Sequence, residues 1–212
     1  MSNSKVVVVN YGLGNPSSVR NMLRKAGCES EVTSEPAAIL AASRLLLPGV
    51  GAFDHGMQNL ADLGLIDVLN EAVLVRKTPI LGICLGLQLM SRRSEEGVAP
   101  GLGWLGADTV RFRFTQAADG FRVPHMGWNT VVATRQTFLR PPEADARFYF
   151  VHSYHLRFDD PGDVALMADY GGPVVAAAVR DNIAGTQFHP EKSHRFGLTL
   201  LRSFADWFPS GA

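Results

Sequence analysis

Apolar and polar positions along the chain switch repeatedly between two periods. "KVVVVN" at residues 5–10 is an unbroken β-branched run of the kind a strand covered on both faces requires, and it leads straight into "YGLGNPSSVRNMLRKAG". A strand running into a helix is implied. Asn15 is placed to cap, Pro16 fits the first helical position, Val19, Met22, Leu23 and Ala26 recur at i, i+3, i+4 and i+7, and Gly27 stops the helix. The alternation then repeats: "SEVTS" as strand, "PAAILAAS" as short helix, "RLLLPG" as strand, a long helix from about Gln58 to Val75, "PILGI" as strand, and a helix from Leu85. Such alternation predicts an α/β fold, an open, largely parallel sheet with helices on both faces.

From Trp104 onward the texture changes to short alternating segments rich in aromatics, among them "TVRFRF", "HMGWNTVVA" and "ARFYFVHSYHLRF". "VALMADYG", "VVAAAVRDN" and "IAGTQFH" continue in that style, which predicts antiparallel β elaboration, in hairpins, of the C-terminal half. An amphipathic helix carrying Phe196, Leu200, Phe204 and Trp207 closes the chain. No linker or internal repeat interrupts the pattern, so one domain over residues 1–212 is expected.

Charge and cysteine content narrow the function. The chain's 20 basic and 20 acidic residues cancel, which leaves no electrostatic footprint for nucleic acid or an anionic membrane. Its only cysteines, Cys28 and Cys84, are too few for a disulfide framework and read as reduced thiols. The four valines near the N-terminus are too short for a signal-peptide core or a membrane span. A cytoplasmic protein is expected.

The candidate chemistry lies in "PILGICLGLQLM", where Cys84 sits between Gly82 and Gly86 at a strand-to-helix junction. This is the thiol version of the G-x-S-x-G nucleophile elbow, a strained turn that lifts the nucleophile above the carboxyl ends of a parallel sheet. There the sulfur meets the positive end of a helix dipole, which favours thiolate, and the backbone N–H of Leu85 is available to an oxyanion. The bland reading, a buried structural cysteine, is about as common for a thiol in this setting. A thiolate needs a base, and "GTQFHPEKS" supplies one. His189 ends an apolar strand, Pro190 keeps it extended, and Glu191 two residues on falls on the same side to orient the imidazole. The "NYGLGN" loop lacks phosphate-loop spacing and reads as a tight turn, and Cys28 reads as structural. His125 and His152 read as packing or partner-facing residues, with no metal site implied.

With "YGLGN", "PGVGAFDHGM", "LGICLGLQLM", "SEEG", "GLGWLG", "PHMGWN", "FYFVHSYH" and "GTQFHPEKS" in place over nearly the whole length, the chain resembles the class I, triad-type glutamine amidotransferases. Within them it is most similar to the glutaminase (HisH) subunits of imidazole glycerol phosphate synthase. The resemblance implies that Cys84 attacks the side-chain amide of L-glutamine, that His189 moves the proton and that Glu191 fixes its tautomer. It assigns Val50 and Gly51 of "PGVG" to the oxyanion hole beside Leu85, and Gly51, Gln88, Ser153 and Tyr154 to the glutamine cradle. It implies no cofactor, and a (β/α)₈-barrel cyclase subunit of HisF type as the partner that receives ammonia, with exposed aromatics such as Trp128 or Tyr149 on the docking face. Asn10 and Pro16 depart from the residues this group often carries there. Three rivals follow: a catalytically silent binding subunit, a free-standing Cys hydrolase, and a relative that feeds ammonia to a sugar-amidating synthase in surface polysaccharide biosynthesis.

Overall fold

The computed structural model describes residues 5–114 and 120–209. Its centre is an eight-stranded sheet in the order β2 (Ser30–Thr33), β1 (Val6–Val9), β3 (Arg44–Gly49), β4 (Ile80–Cys84), β12 (Ile183–Thr186), β11 (Pro173–Arg180), β10 (Val164–Asp169) and β7 (Val132–Ala133). The first five run parallel and the last three extend the sheet antiparallel from β12. The valine run of β1 is apolar at every position because it feeds two cores. Val6 and Val8 join one apolar layer with α1 (Pro16–Lys25) and α6 (His194–Ala205), while Val7 and Val9 join the opposite layer. That second layer holds α2 (Pro36–Leu40), α3 (Phe53–Asp62), α4 (Leu65–Asn70) and α5 (Leu85–Leu89). Helices therefore cover both faces, as the periodicity predicts. The single-domain expectation over 1–212 includes residues 1–4, 115–119 and 210–212, which lie outside the described residues.

The sequence signals at α1 act as expected: Asn15 accepts from Ser18 N at 3.0 Å, and Pro16 opens the helix. Two other expectations are corrected. The long helix expected over residues 58–75 starts at Phe53 and breaks at Gly64, whose backbone is left-handed (φ 64°), before α4 resumes and ends in a π-helical turn over Glu71–Val75. Apolar periodicity carries across a two-residue break of this kind, so the pattern does not register it. The expected hairpins form between the sequence neighbours β10 and β11 and between β11 and β12, but the aromatic segments before them pair with strands distant in sequence. β5 (Ala107–Arg111) pairs with β9 (Tyr154–Phe158), and β6 (His125–Thr130) pairs with β8 (Arg147–His152). The segment "FYFVHSYHLRF" is thus two strands divided at Ser153, one in each small sheet.

Close packing of α5 against the sheet fixes how the chain leaves β4. A Cβ on Gly86 would stand 1.8 Å from the Leu47 carbonyl oxygen of β3, so only glycine lets the helix sit there. A Cβ on Gly64 would meet nothing within 4 Å. Gly86→Ala is accordingly expected to cost about 3 kcal/mol through overpacking, and Gly64→Ala about 1 kcal/mol through backbone strain alone. Urea unfolding of both variants, compared at unchanged m-value, measures the difference.

Candidate active site

Three neighbouring parallel strands deliver the site. β4 ends at Cys84, which is buried and held at φ 52°, ψ −107°, a conformation that non-glycine residues seldom adopt. This is the strained turn the G-I-C-L-G spacing predicts, although the helix after it is only five residues long. On one side Gly49 of β3 is the register partner of Cys84, which puts the "PGVG" stretch beside the sulfur. On the other, β12 leads through Gln187 and Phe188 to His189, whose N–H donates to Tyr149 O at 2.9 Å.

His189 and Glu191 meet as expected, by a different local route. Residues Pro190–Lys192 form a 3₁₀ turn rather than continuing extended, and the turn brings Glu191 Oε1 to 2.7 Å from His189 Nδ1. A carboxylate can only accept, so Nδ1 carries the proton and Nε2 is left for the sulfur. Nε2 is buried with no hydrogen bond closed, poised rather than engaged. Burial alone would lower the His189 pKa, but the nearby Cys84 sulfur and the hydrogen-bonded Glu191 carboxylate outweigh it, raising it to about 9. Ser193 Oγ locks the segment by donating to His189 O at 2.6 Å while accepting from Tyr149 N at 3.0 Å.

Cys84 opens into a cavity of about 310 Å³ lined by every residue expected for the oxyanion hole and the cradle: Val50, Gly51, Leu85, Gln88, Ser153 and Tyr154. Gly51 adopts φ 113°, and Val50 is exposed. Beneath them the Tyr11 hydroxyl is buried without a partner, and burial raises its pKa further. Reading the sequence missed Glu96, Pro124, Val151 and His152, which complete the lining, and Gln187, whose Nε2 donates to Cys84 Sγ at 3.6 Å. Glu96 lies in "SEEG" and His152 in "VHSY", stretches quoted for kinship whose side chains carried no spacing signal of their own. His152 packs as expected, against Phe112 and Phe150, and in addition forms part of the cavity wall. Among the described residues no group of His, Cys, Asp and Glu comes together that could hold a metal ion, and no helix is long and apolar enough to cross a membrane.

His125 and His152 are held neutral by burial, with pKa values lowered to about 4 and about 3. Because the unfolded chain protonates both near pH 6.5, the stability they confer is present in full above that pH and is lost as pH falls toward 4. Each is expected to remove roughly 1.4 kcal/mol per pH unit across that window. Chemical unfolding at pH 7 and pH 5 measures the loss, and His125→Phe is expected to make the pH dependence shallower.

A family profile described as Glutamine amidotransferase class-I matches residues 7–206. Imidazole glycerol phosphate synthase subunit HisH 2 of Pseudomonas aeruginosa is 48% identical over 202 residues, covering 95% of this chain and 98% of that one. The protein of the same name from Methanococcus maripaludis is 45% identical over 200 residues, covering 94% and 98%. Among solved structures, a glutamine amidotransferase from Thermotoga maritima superposes with a TM-score of 0.65 at 17% identity, covering 96% of this chain and 97% of that one, a likeness of fold. Full-length matches to relatives at more than 40% identity, together with the cysteine elbow and its histidine, lead to one assignment: the chain belongs to the class I glutamine amidotransferases.

Proposed function

We propose that this chain is the glutaminase subunit of an imidazole glycerol phosphate synthase in histidine biosynthesis, working as one domain through a Cys84–His189–Glu191 triad. The observation that carries the reading is the cavity at the strained Cys84, with a buried His189–Glu191 pair beside it. In the reaction, the Cys84 thiolate forms a bond to the side-chain carbonyl carbon of L-glutamine, and the carbonyl electrons move to oxygen. The backbone N–H groups of Leu85 and of the Val50–Gly51 stretch stabilise that oxyanion. Collapse of the intermediate breaks the C–N bond, with His189 giving its Nε2 proton to the departing ammonia. Water, deprotonated by the same imidazole, then cleaves the γ-glutamyl thioester and releases glutamate. Glu191 keeps Nδ1 protonated throughout, so that Nε2 does the exchanging. Glu96, the one carboxylate on the cavity lining among the described residues, suits the α-ammonium of the substrate.

The acceptor is a (β/α)₈-barrel cyclase subunit that takes up the ammonia to make imidazole glycerol phosphate and AICAR. An exposed aromatic patch next to the triad supports a docking face there. Trp128 stacks on His194 at 5.2 Å between ring centroids and meets Tyr149 at 5.9 Å, and the Lys192 ammonium lies 5.6 Å from the Tyr149 ring. Met126 stands exposed on the same strand as Trp128. The stretch "VRDNIAGTQFHPEKSHRFGLTLL" around the triad histidine prompts a second acceptor of the same chemistry, a synthase that amidates a surface-polysaccharide sugar.

In the assembled complex, Cys84→Ala is expected to lower glutamine-dependent turnover by roughly 10⁴-fold or more while ammonia-dependent turnover persists, and Glu191→Gln to lower it less. Loss of both activities by a complex that still assembles would refute the division of labour. For the acceptor, this gene with its own barrel partner is expected to restore growth without histidine to a strain lacking its synthase. Failure, with a soluble complex and active glutaminase, selects the sugar acceptor.

A further inference from the structure

We propose that His152 and His125 are positioning residues for glutamine, two neutral imidazoles of fixed tautomer that set the wall of the cavity by a one-directional chain of hydrogen bonds. The inference rests on the glutamine-pocket reading and names residues that reading leaves without a task.

The direction of the chain follows from its end. His152 Nδ1 lies 2.8 Å from Tyr154 O, and a carbonyl only accepts, so Nδ1 carries the proton. With the ring neutral, Nε2 is bare and accepts from His125 Nδ1 at 3.0 Å. His125 must then be bare at its own Nε2, and Asn129 Nδ2 lies 3.3 Å from it. The Asn129 amide is oriented in its turn: Nδ2 also donates to Asp169 O at 2.8 Å, and Oδ1 accepts from Thr130 N at 2.8 Å. Every donor from Asn129 to Tyr154 points the same way.

The same carbonyl joins this chain to the sulfur. Tyr154 O accepts a second hydrogen bond from Gln88 Nε2 at 2.9 Å, and Gln88 Nε2 spends its other proton on Gln187 Oε1 at 3.1 Å. That leaves Gln187 Nε2 for Cys84 Sγ. Aromatic rings clamp the imidazoles: His125 is stacked on both Tyr170 (3.9 Å between centroids) and Phe150 (4.6 Å), and Phe112 lies 5.2 Å from His152. The buried link between His125 and His152 holds this chain to one arrangement, because a break there strands a donor or acceptor away from water. Ser153 and Tyr154 thus hold their places in the lining through His152.

The test uses the full-length chain and two electrophiles. A chloroketone analogue of L-glutamine, whose C–S bond to Cys84 forms as chloride leaves, reads pocket and thiol together, whereas iodoacetamide reads the thiol alone. His152→Phe keeps a ring but no donor, and is expected to raise KI for the chloroketone about tenfold, the loss of one buried hydrogen bond, with kinact changed far less. His152→Asn places an amide donor where Nδ1 was and is expected to recover most of that affinity. A His152→Phe protein with wild-type KI overturns the proposal, and so does a His152→Asn protein as impaired as His152→Phe. Should His152→Phe fail to fold, His125→Phe decides, since phenylalanine fills the slot between Tyr170 and Phe150: a raised KI supports the chain and an unchanged KI overturns it. Failure of the glutamine reading shows separately, in the wild type, as chloroketone labelling that neither saturates nor exceeds iodoacetamide labelling, and it removes this inference as well.

Discussion

The parallel register of β3, β4 and β12 is the constraint on which the rest of the site depends. Gly49 pairs with Cys84 across β3 and β4, and Thr186 pairs with Ile83 across β12 and β4, so Gly49, Cys84 and Gln187 end up in one row. A shift of one residue would turn each side chain to the opposite face of the sheet. The thiol would then no longer face the cavity at the carboxyl edge of the sheet. The register is protected by burial, since every position of β3, β4 and β12 is buried and each strand contributes to packing on both faces. The proposed chemistry, which draws on groups about 35 and about 100 positions from Cys84, is thereby specified by the ordinary energetics of a parallel sheet.

The parts of this arrangement legible in the sequence are those that local rules control. The valine run of β1, the Asn15 cap and Pro16 of α1, and the G-I-C-L-G elbow each have a cause within a few residues, and all appear where expected. The break at Gly64 was illegible because helical periodicity survives it. The pairing of β5 with β9 was illegible for a different reason: alternation shows that a segment has two faces and says nothing about which distant strand completes it. His152 and Gln187 were overlooked as functional for a third. A buried histidine or glutamine is worth what its hydrogen-bond partners make of it, and those partners come from β6, β9 and α5.

Polar burial on this scale is costly, and the site shows how the cost is contained. Beside the cavity, imidazoles are kept neutral and joined to amides and carbonyls, so that hydrogen bonds rather than ionic pairs satisfy the interior. Charge is concentrated at one place, the His189 ring between Glu191 and Cys84, where both neighbours favour the protonated form against burial. The contrast separates the two jobs of histidine in this protein. His125 and His152 have no anion beside them and resist protonation, while His189 has an anionic partner and retains its proton into the alkaline range.

The Val50–Gly51 stretch is bounded in a way that limits what it can do. At its start, Gly49 is fixed by the β3–β4 pairing and by close approach, since a Cβ there would stand 2.5 Å from the Tyr11 hydroxyl and 2.8 Å from Leu85 Cβ. At its end, α3 has no side-chain cap from its own residues, and Glu96 Oε2 accepts from Phe53 N at 2.8 Å in that role. Asp54 answers in the other direction by accepting from Val98 N and Ala99 N, both at 3.0 Å, so the 96–99 loop and the helix start hold one another. Between these two anchors only Val50, Gly51 and Ala52 are free to turn, and Gly51 is the residue among them with no side chain to oppose it. Any reorientation of the peptides proposed to meet an oxyanion is therefore confined to this short span. Its far anchor is Glu96, which also faces the cavity, so a ligand that draws on that carboxylate acts directly on the span's fixed end.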